Sequence, residues 1–151
     1  MDVIRRNTDY SIRAMVHIAG RRGGEPVSNK RLADELDIPY HLVCKLMQRL
    51  GKAGFVKSCM GPKGGFYLAK DPAEISLLEI IEAIQGRIML NRCLLGSNRC
   101  PQQAVCTIRG SLAELQDDID GYLRGVTIKA LSEARAGKRL SGKKASGRRR
   151  R

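Results

Sequence analysis

Residues 38–68 read IPYHLVCKLMQRLGKAGFVKSCMGPKGGFYL, and the order of elements in that stretch decides the fold. A helix is expected over Tyr40–Lys52, because Leu42, Val43, Leu46, Met47 and Leu50 recur three and four apart and so share one face. Gly51 and Gly54 mark its end. Phe55 to Ser58 and Phe66 to Leu68 are β-prone, and Gly61-Pro62-Lys63-Gly64-Gly65 between them is a hairpin signal.

Two more helices precede this unit. Thr8 is expected as an N-cap with Asp9 in the first turn, followed by Ile12, Met15, Val16 and Ala19 at helical spacing, with Gly23 and Gly24 as the stop. Ser28 or Asn29 caps a second helix from Lys30 to Leu36, which the turn Asp37-Ile38-Pro39 breaks. Three helices and a hairpin describe a mainly α fold, a winged helix-turn-helix with a small β-hairpin wing. In that geometry the third helix lies in the major groove of double-stranded DNA. Tyr40, His41, Cys44, Lys45 and Gln48 then face the groove or its wall. Lys45 and Arg49 suit phosphate or guanine, and Gln48 suits adenine. Ser28, Asn29 and Lys57 join this candidate DNA-binding set, as do Gly61, Lys63 and Gly64 at the hairpin tip, where backbone can approach phosphates.

Charge supports a polyanionic partner. The net +13 divides into +7 over residues 1–70, −2 over 71–136 and +8 over 137–151. Nucleic acid is the partner such a distribution favours. No run of eighteen apolar residues exists and the N-terminus lacks an apolar signal region, so no membrane role and a cytoplasmic location are expected. No acid/base pair, nucleophile triad or phosphate loop is visible, which argues against an enzyme. His17 and His41 carry no metal spacing.

Downstream, Ser76 caps a helix to about Gln85, with Leu77, Ile80, Ile81 and Ile84 apolar. The loop from Gly86 to Cys106 has weak helical character. The longest helix is expected from Ile108 to Arg124, with Gly125 as its stop. Leu112, Leu115, Ile119, Tyr122 and Val126 form a coiled-coil-like seam that calls for a partner, most simply a homodimer. Thr127 should cap a short helix, Ile128 to Ala134, and 137–151 should be disordered. The resulting division is a DNA-binding domain over 1–86, a cysteine-bearing loop over 87–107, a dimerisation unit over 108–136 and a basic tail over 137–151.

Five cysteines cannot all pair, and three of them, Cys93, Cys100 and Cys106, crowd into that loop. They can converge only if the loop folds back, as Gly96, Asn98 and Pro101 permit. Three thiolates suit an iron-sulfur cluster or zinc, and either needs a fourth ligand. Cys44 and Cys59 are expected as small filler residues.

The segments TDYSIRAMVHIA (8–19), IPYHLVCKLMQRLGKAGFV (38–56), GPKGGFYLAKDPAEISLLEII (61–81) and VTIKAL (126–131), with the clustered cysteines, resemble the Rrf2 family of bacterial winged-helix transcription regulators, IscR/NsrR-like. The resemblance runs from Met1 to about Ala134. It implies a homodimer on an imperfect palindromic operator, with the long helix as interface. It also implies DNA affinity controlled by an iron-sulfur cluster on the three cysteines, 2Fe-2S ahead of 4Fe-4S. IscR-like members place a histidine three residues after the last cysteine, where this chain has Arg109. NsrR-like members use a carboxylate near the N-terminus of the partner subunit, and the matching residue is Asp9. The first cysteine spacing is one residue longer than in either group. A zinc or thiol-disulfide switch at the same cysteines is the alternative. Another is an architectural nucleic-acid binder using the basic tail.

Overall fold

The structure, a computed structural model, describes residues 2–95, 100–102 and 104–146. Helix α1 spans Arg6–Ala19, three residues earlier at its start than the Thr8 cap predicts. Its N-cap is Arg5, whose carbonyl accepts the Thr8 and Asp9 N–H groups at 2.9 and 3.0 Å. Thr8 is instead wholly buried. A residue far along the chain secures the helix start in its place. Gln85 accepts the Arg5 N–H at 2.8 Å and donates to the Val3 carbonyl at 2.9 Å.

A single 3-10 turn, Arg22–Gly24, leads to α2, Asn29–Leu36, where the Ser28 hydroxyl accepts the Arg31 N–H at 3.2 Å. The chain leaves α2 through Asp37 in the left-handed region at φ 54° and enters α3, Tyr40–Lys52, behind Pro39. Strands β1, Val56–Cys59, and β2, Gly65–Leu68, pair antiparallel with Val56 opposite Leu68 and Cys59 opposite Gly65. Phe55, expected in the first strand, donates its N–H to the Leu50 carbonyl at 3.0 Å and is buried, so it closes α3 instead. The wing is stitched to the entry of α2 by two 2.9 Å bonds exchanged between Val27 and Phe66.

Helix α4, Leu77–Gln85, opens with a capping box in which the Ser76 hydroxyl accepts from Glu79 N and the Glu79 carboxylate accepts from Ser76 N. Those bonds from Ser76 hold the Glu79 carboxyl below its usual pKa. After a 3-10 turn at Arg92–Leu95 comes α5, Thr107–Gly125. Gly125 is its last residue rather than a residue beyond it. The Val126 N–H closes the helix on the Tyr122 carbonyl at 3.2 Å. The chain then runs beside the start of α4, with Leu77 N–H on Val126 O at 2.8 Å and Ile128 N–H on Ile75 O at 2.9 Å.

Helix α6, Ile128–Ser146, is capped by Thr127 and buries Ile128 in the main core. It runs twelve residues beyond the expected end at Ala134, so residues 137–146 are helical rather than disordered. The segment has no proline, and Lys138, Arg139, Leu140, Lys143, Lys144 and Ala145 are residue types that lose little entropy in a helix. Residues 147–151 lie outside the described residues.

The main core gathers α1, α2, α3, the wing and Ile128 around Met15, Leu32, Met47, Leu50 and Ile80. A second cluster joins α4 to α5 through Leu78, Ile81, Ile88 and Leu123. The seam expected along α5 divides. Ile119 packs on this second cluster, while Ile108, Leu115 and Tyr122, seven residues apart, are 66%, 48% and 73% exposed. Among the described residues no helix is long and apolar enough to cross a membrane.

Candidate nucleic-acid interface and cysteine centre

Helix α3 buries Val43, Leu46, Met47 and Leu50, which leaves Tyr40, His41, Lys45, Gln48 and Arg49 exposed on the opposite side. Cys44 is more than filler. It is half-buried, and the Asn29 amide donates to its sulfur at 3.4 Å, joining α2 to α3. A hydrogen bond with Cys44, and then that group's charge when ionised, hold the Tyr40 hydroxyl above its usual pKa. Arg49 donates to the Ile84 carbonyl at 3.4 Å, so this expected DNA contact also reaches the C-terminal end of α4.

Two clefts border this face. Lys45, Gln48 and Arg49 line one of about 250 Å³ together with Asn7 and Lys52. Ser28, Lys63 and Gly64 line another of about 390 Å³ with Arg21 and Arg31. The structure thus brings the α2 N-terminus and the hairpin tip together, with Lys57 and Gly61 exposed on the wing. Asn7, Arg21, Arg31 and Lys52 escape the sequence reading. Only Lys52, seven residues after Lys45 on one helix, carries a periodic signal for it.

Below this face His17 is buried, with Nε2 3.0 Å from Glu35 Oε2. Arg31 Nε donates to Glu35 Oε1 at 2.6 Å, and Arg21 lies 4.0 Å away. The Arg31 hydrogen bond is the main cause that holds the Glu35 carboxyl below its usual pKa, and the charges of His17 and Arg21 assist. The group ties α1 to α2.

All five cysteines are free thiols. Cys93 is half-buried in the 3-10 turn, Cys100 is exposed, and half-buried Cys106 is the N-cap of α5. Among the described residues no three His, Cys, Asp or Glu side chains stand together as a metal-holding group. Gly96 and Asn98, the expected fold-back residues, lie outside the described residues. Asp9 is paired with Arg13 Nε at 2.9 Å along α1.

What leads into the cysteine loop is firmly held. Gln116, buried on α5, accepts the Leu90 N–H at 2.9 Å and donates to the Ile88 carbonyl at 3.0 Å and to Asp120 Oδ1 at 2.8 Å. Asp120 Oδ2 accepts from Arg87 Nη2 at 2.9 Å, and this bond raises the Arg87 pKa above its usual value. The Arg87–Leu90 segment is therefore clasped to α5. The sequence signal for it is slight: two polar residues four apart beside the apolar Ile119 and Leu123.

A cavity of about 280 Å³ opens beside the clasp, lined by Arg87, Met89, Leu94, Cys106 and Arg109 among others. The start of α5 there has no side-chain cap and no acidic residue in its first turn, so the helix dipole favours negative charge at this end. Arg109 Nε is buried without a hydrogen-bond partner among the described residues. An orphaned buried donor costs about 1–3 kcal/mol, more when charged.

A sequence model of the Rrf2 family, described as an iron-dependent transcriptional regulator, matches residues 4–134. The chain is 31% identical over 125 residues to the HTH-type transcriptional regulator NsrR of Shouchella clausii, across 82% of this chain and 84% of that protein. It is 29% identical over 119 residues to the regulator IscR of Escherichia coli, across 79% and 73% respectively. The solved structure of CymR, the global cysteine regulator of Bacillus subtilis, matches with a TM-score of 0.76 at 25% identity, over 89% of this chain and 98% of that one. These relatives are regulators and not enzymes, and their likeness spans the helices and the wing. The chain belongs to the Rrf2 family of DNA-binding winged-helix transcription regulators.

Proposed function

We propose that the chain is a cytoplasmic, homodimeric regulator that reads an imperfect palindrome in double-stranded DNA, with its affinity controlled by an iron-sulfur cluster on Cys93, Cys100 and Cys106. The observation offered for the cluster is that Cys106 and Arg109, whose Nε has no hydrogen-bond partner among the described residues, line one cavity at the uncapped end of α5, with Asp117 in the same lining. Donor chemistry agrees, since soft thiolates suit iron-sulfur centres. The family's description as iron-dependent is in keeping. A bound cluster supplies a centre sensitive to redox state, oxygen or nitric oxide, as a 2Fe-2S or, second, a 4Fe-4S form.

Asp9 is the proposed fourth ligand, offered to the partner subunit's loop. Its present tie is an ion pair with Arg13 between half-exposed side chains, worth only about 0.3–0.5 kcal/mol and readily exchanged. On DNA, Gln48 reads adenine, Lys45 and Arg49 hold phosphate or guanine, and Tyr40, His41 and Cys44 line the groove wall. Ser28 and Asn29 at the α2 N-terminus, with Lys57, Gly61, Lys63 and Gly64 of the wing, grip the backbone. The Gln116–Asp120–Arg87 clasp would pass loop order to α5 and α4. A centre on the loop shifts DNA affinity only by its preference between two arrangements of the dimer.

The test is anaerobic purification of wild type and Cys100→Ala, followed by visible absorption and native mass spectrometry. A coloured wild-type dimer holding iron and sulfide, with both lost in the variant, is expected. A second reading, a zinc or thiol-disulfide switch at the same cysteines, draws on the likeness to a cysteine regulator. A colourless wild type that holds zinc, or changes DNA affinity on forming a disulfide, would establish it against the cluster.

A further inference from the structure

Helix α6 follows α1 toward the C-terminal end of that helix. Leu131 lines a groove with Ile12, Val16 and Leu36. The Ser132 hydroxyl lies 3.2 Å from where a Cβ on Gly20 would stand. Arg135 and Ala136 then line a cavity of about 170 Å³ with Gly20 and Arg21, and the helix continues past them to Ser146. Arg21 joins this cavity to the cationic cleft of the wing, since it also lines that cleft with Ser28, Arg31 and Lys63. Its side chain is 18% exposed and is held 4.0 Å from Glu35. The acids in the two linings are Glu25 and Glu35, and Glu35 already serves Arg31 and His17.

The inward face of α6 changes character where α1 ends. Ile128 and Leu131 pack on the main core. Arg135 follows four residues after Leu131, and positions 139 and 143, on the same helical face, carry Arg and Lys, with exposed Lys138 beside them. Glu133, two positions before Arg135, falls on the opposite side of the helix. From residue 137 onward the chain bears a charge of +8 and no acid. A face that is apolar against α1 and basic beyond it suits a polyanion lying past the end of α1, on the side where Arg21 meets the wing cleft.

We propose that the C-terminal part of α6 is an arm for flanking DNA. Arg135, Lys138, Arg139 and Lys143 hold backbone phosphates of the duplex outside the stretch read by α3, and the phosphate track of the wing cleft reaches them through Arg21. The proposal rests on the DNA reading of α3 and the wing above and needs no cluster. Residues 137–146 extend about 15 Å as a helix, roughly four base pairs of backbone. The arm adds affinity and footprint length but no base preference, because phosphate contacts carry no sequence information.

The test uses the full chain on the duplex that wild type selects from a random library, made with long and with trimmed flanks. Two variants remove the same charge. One changes Lys138, Arg139 and Lys143 to Gln on the arm, and the other changes Arg149, Arg150 and Arg151 to Gln at the chain end. Glutamine keeps the helix propensity of the residues it replaces, and circular dichroism checks that both variants fold. Hydroxyl-radical protection of roughly four base pairs outside the wing contact is expected in wild type and in the chain-end variant, and is lost in the arm variant. The arm variant should bind the long duplex about tenfold more weakly or worse, with a salt slope reduced by about 0.9 for each lost phosphate, and bind the trimmed duplex as wild type does. Equal losses in the two variants, or flank protection that survives in the arm variant, overturn the arm and leave the DNA reading standing. A wild type that selects no site, or Lys63→Ala binding the trimmed duplex as tightly as wild type, overturns the reading of the wing and the arm with it.

Discussion

Gly65 sets the wing by what it lacks. A Cβ built there would lie 2.4 Å from the backbone of Val27, so the two-way Val27–Phe66 pairing exists only because position 65 is glycine. Gly65→Ala should cost about 1–3 kcal/mol, the usual range for overpacking, and lower the thermal midpoint seen by circular dichroism. An unchanged midpoint would show that the wing does not depend on that approach. Glu35 offers a pH test. Its folded pKa lies below the usual 4.5, chiefly through Arg31, so its contribution is full above 4.5 and is lost as pH falls through the lowered value. Wild type should exceed Glu35→Gln in stability at pH 7, with the gap closing below about pH 4.5. A gap constant from pH 7 down to pH 3 would count against the His17–Glu35–Arg31 group as the source.

Among elements, the contact of α5 with the segment after α4 is decisive, because it holds the approach to the cysteines. Leucine in place of Gln116 would leave the Leu90 N–H and Ile88 C=O without their partner, at about 1–3 kcal/mol for each orphaned group. Gln116→Leu should speed amide hydrogen exchange at Arg87–Leu90 while the α3 amides keep wild-type protection. Protection unchanged at 87–90 would dismiss the clasp. The extents of α2, α3 and α4 were legible because periodicity and caps such as Ser28 and Ser76 are local. The start of α1 was not, because its anchor is Gln85, eighty residues beyond Arg5. The length of α6 was hidden by the charge and glycine of the tail, which read as disorder.

For the whole molecule, the exposed line of Ile108, Leu115 and Tyr122 argues for a second copy. Apolar side chains seven apart on one helix form the seam along which helices pair. Leu115→Glu should convert a dimer to a monomer in sedimentation velocity and weaken binding to a two-half-site operator far more than to one half-site. A variant that stays dimeric would place the interface elsewhere. The line left outward is narrower than the seam the spacing predicts. Ile119 turns inward onto Leu78, Ile81 and Leu123, leaving a narrower outward line.

The sequence by itself determined the order of helices and hairpin, the charged face of α3, and the gathering of three thiols before α5. Each is written in spacing along the chain, and local geometry converts spacing into a face or a turn. Only the tertiary structure decided which distant residues meet: Gln85 with the N-terminal segment, Arg49 with Ile84, Gln116 and Asp120 with Arg87–Leu90, and Arg109 with the cavity beside Cys106. Those meetings depend on how helices pack. A polar residue on a helix carries no mark of the partner that packing will bring to it.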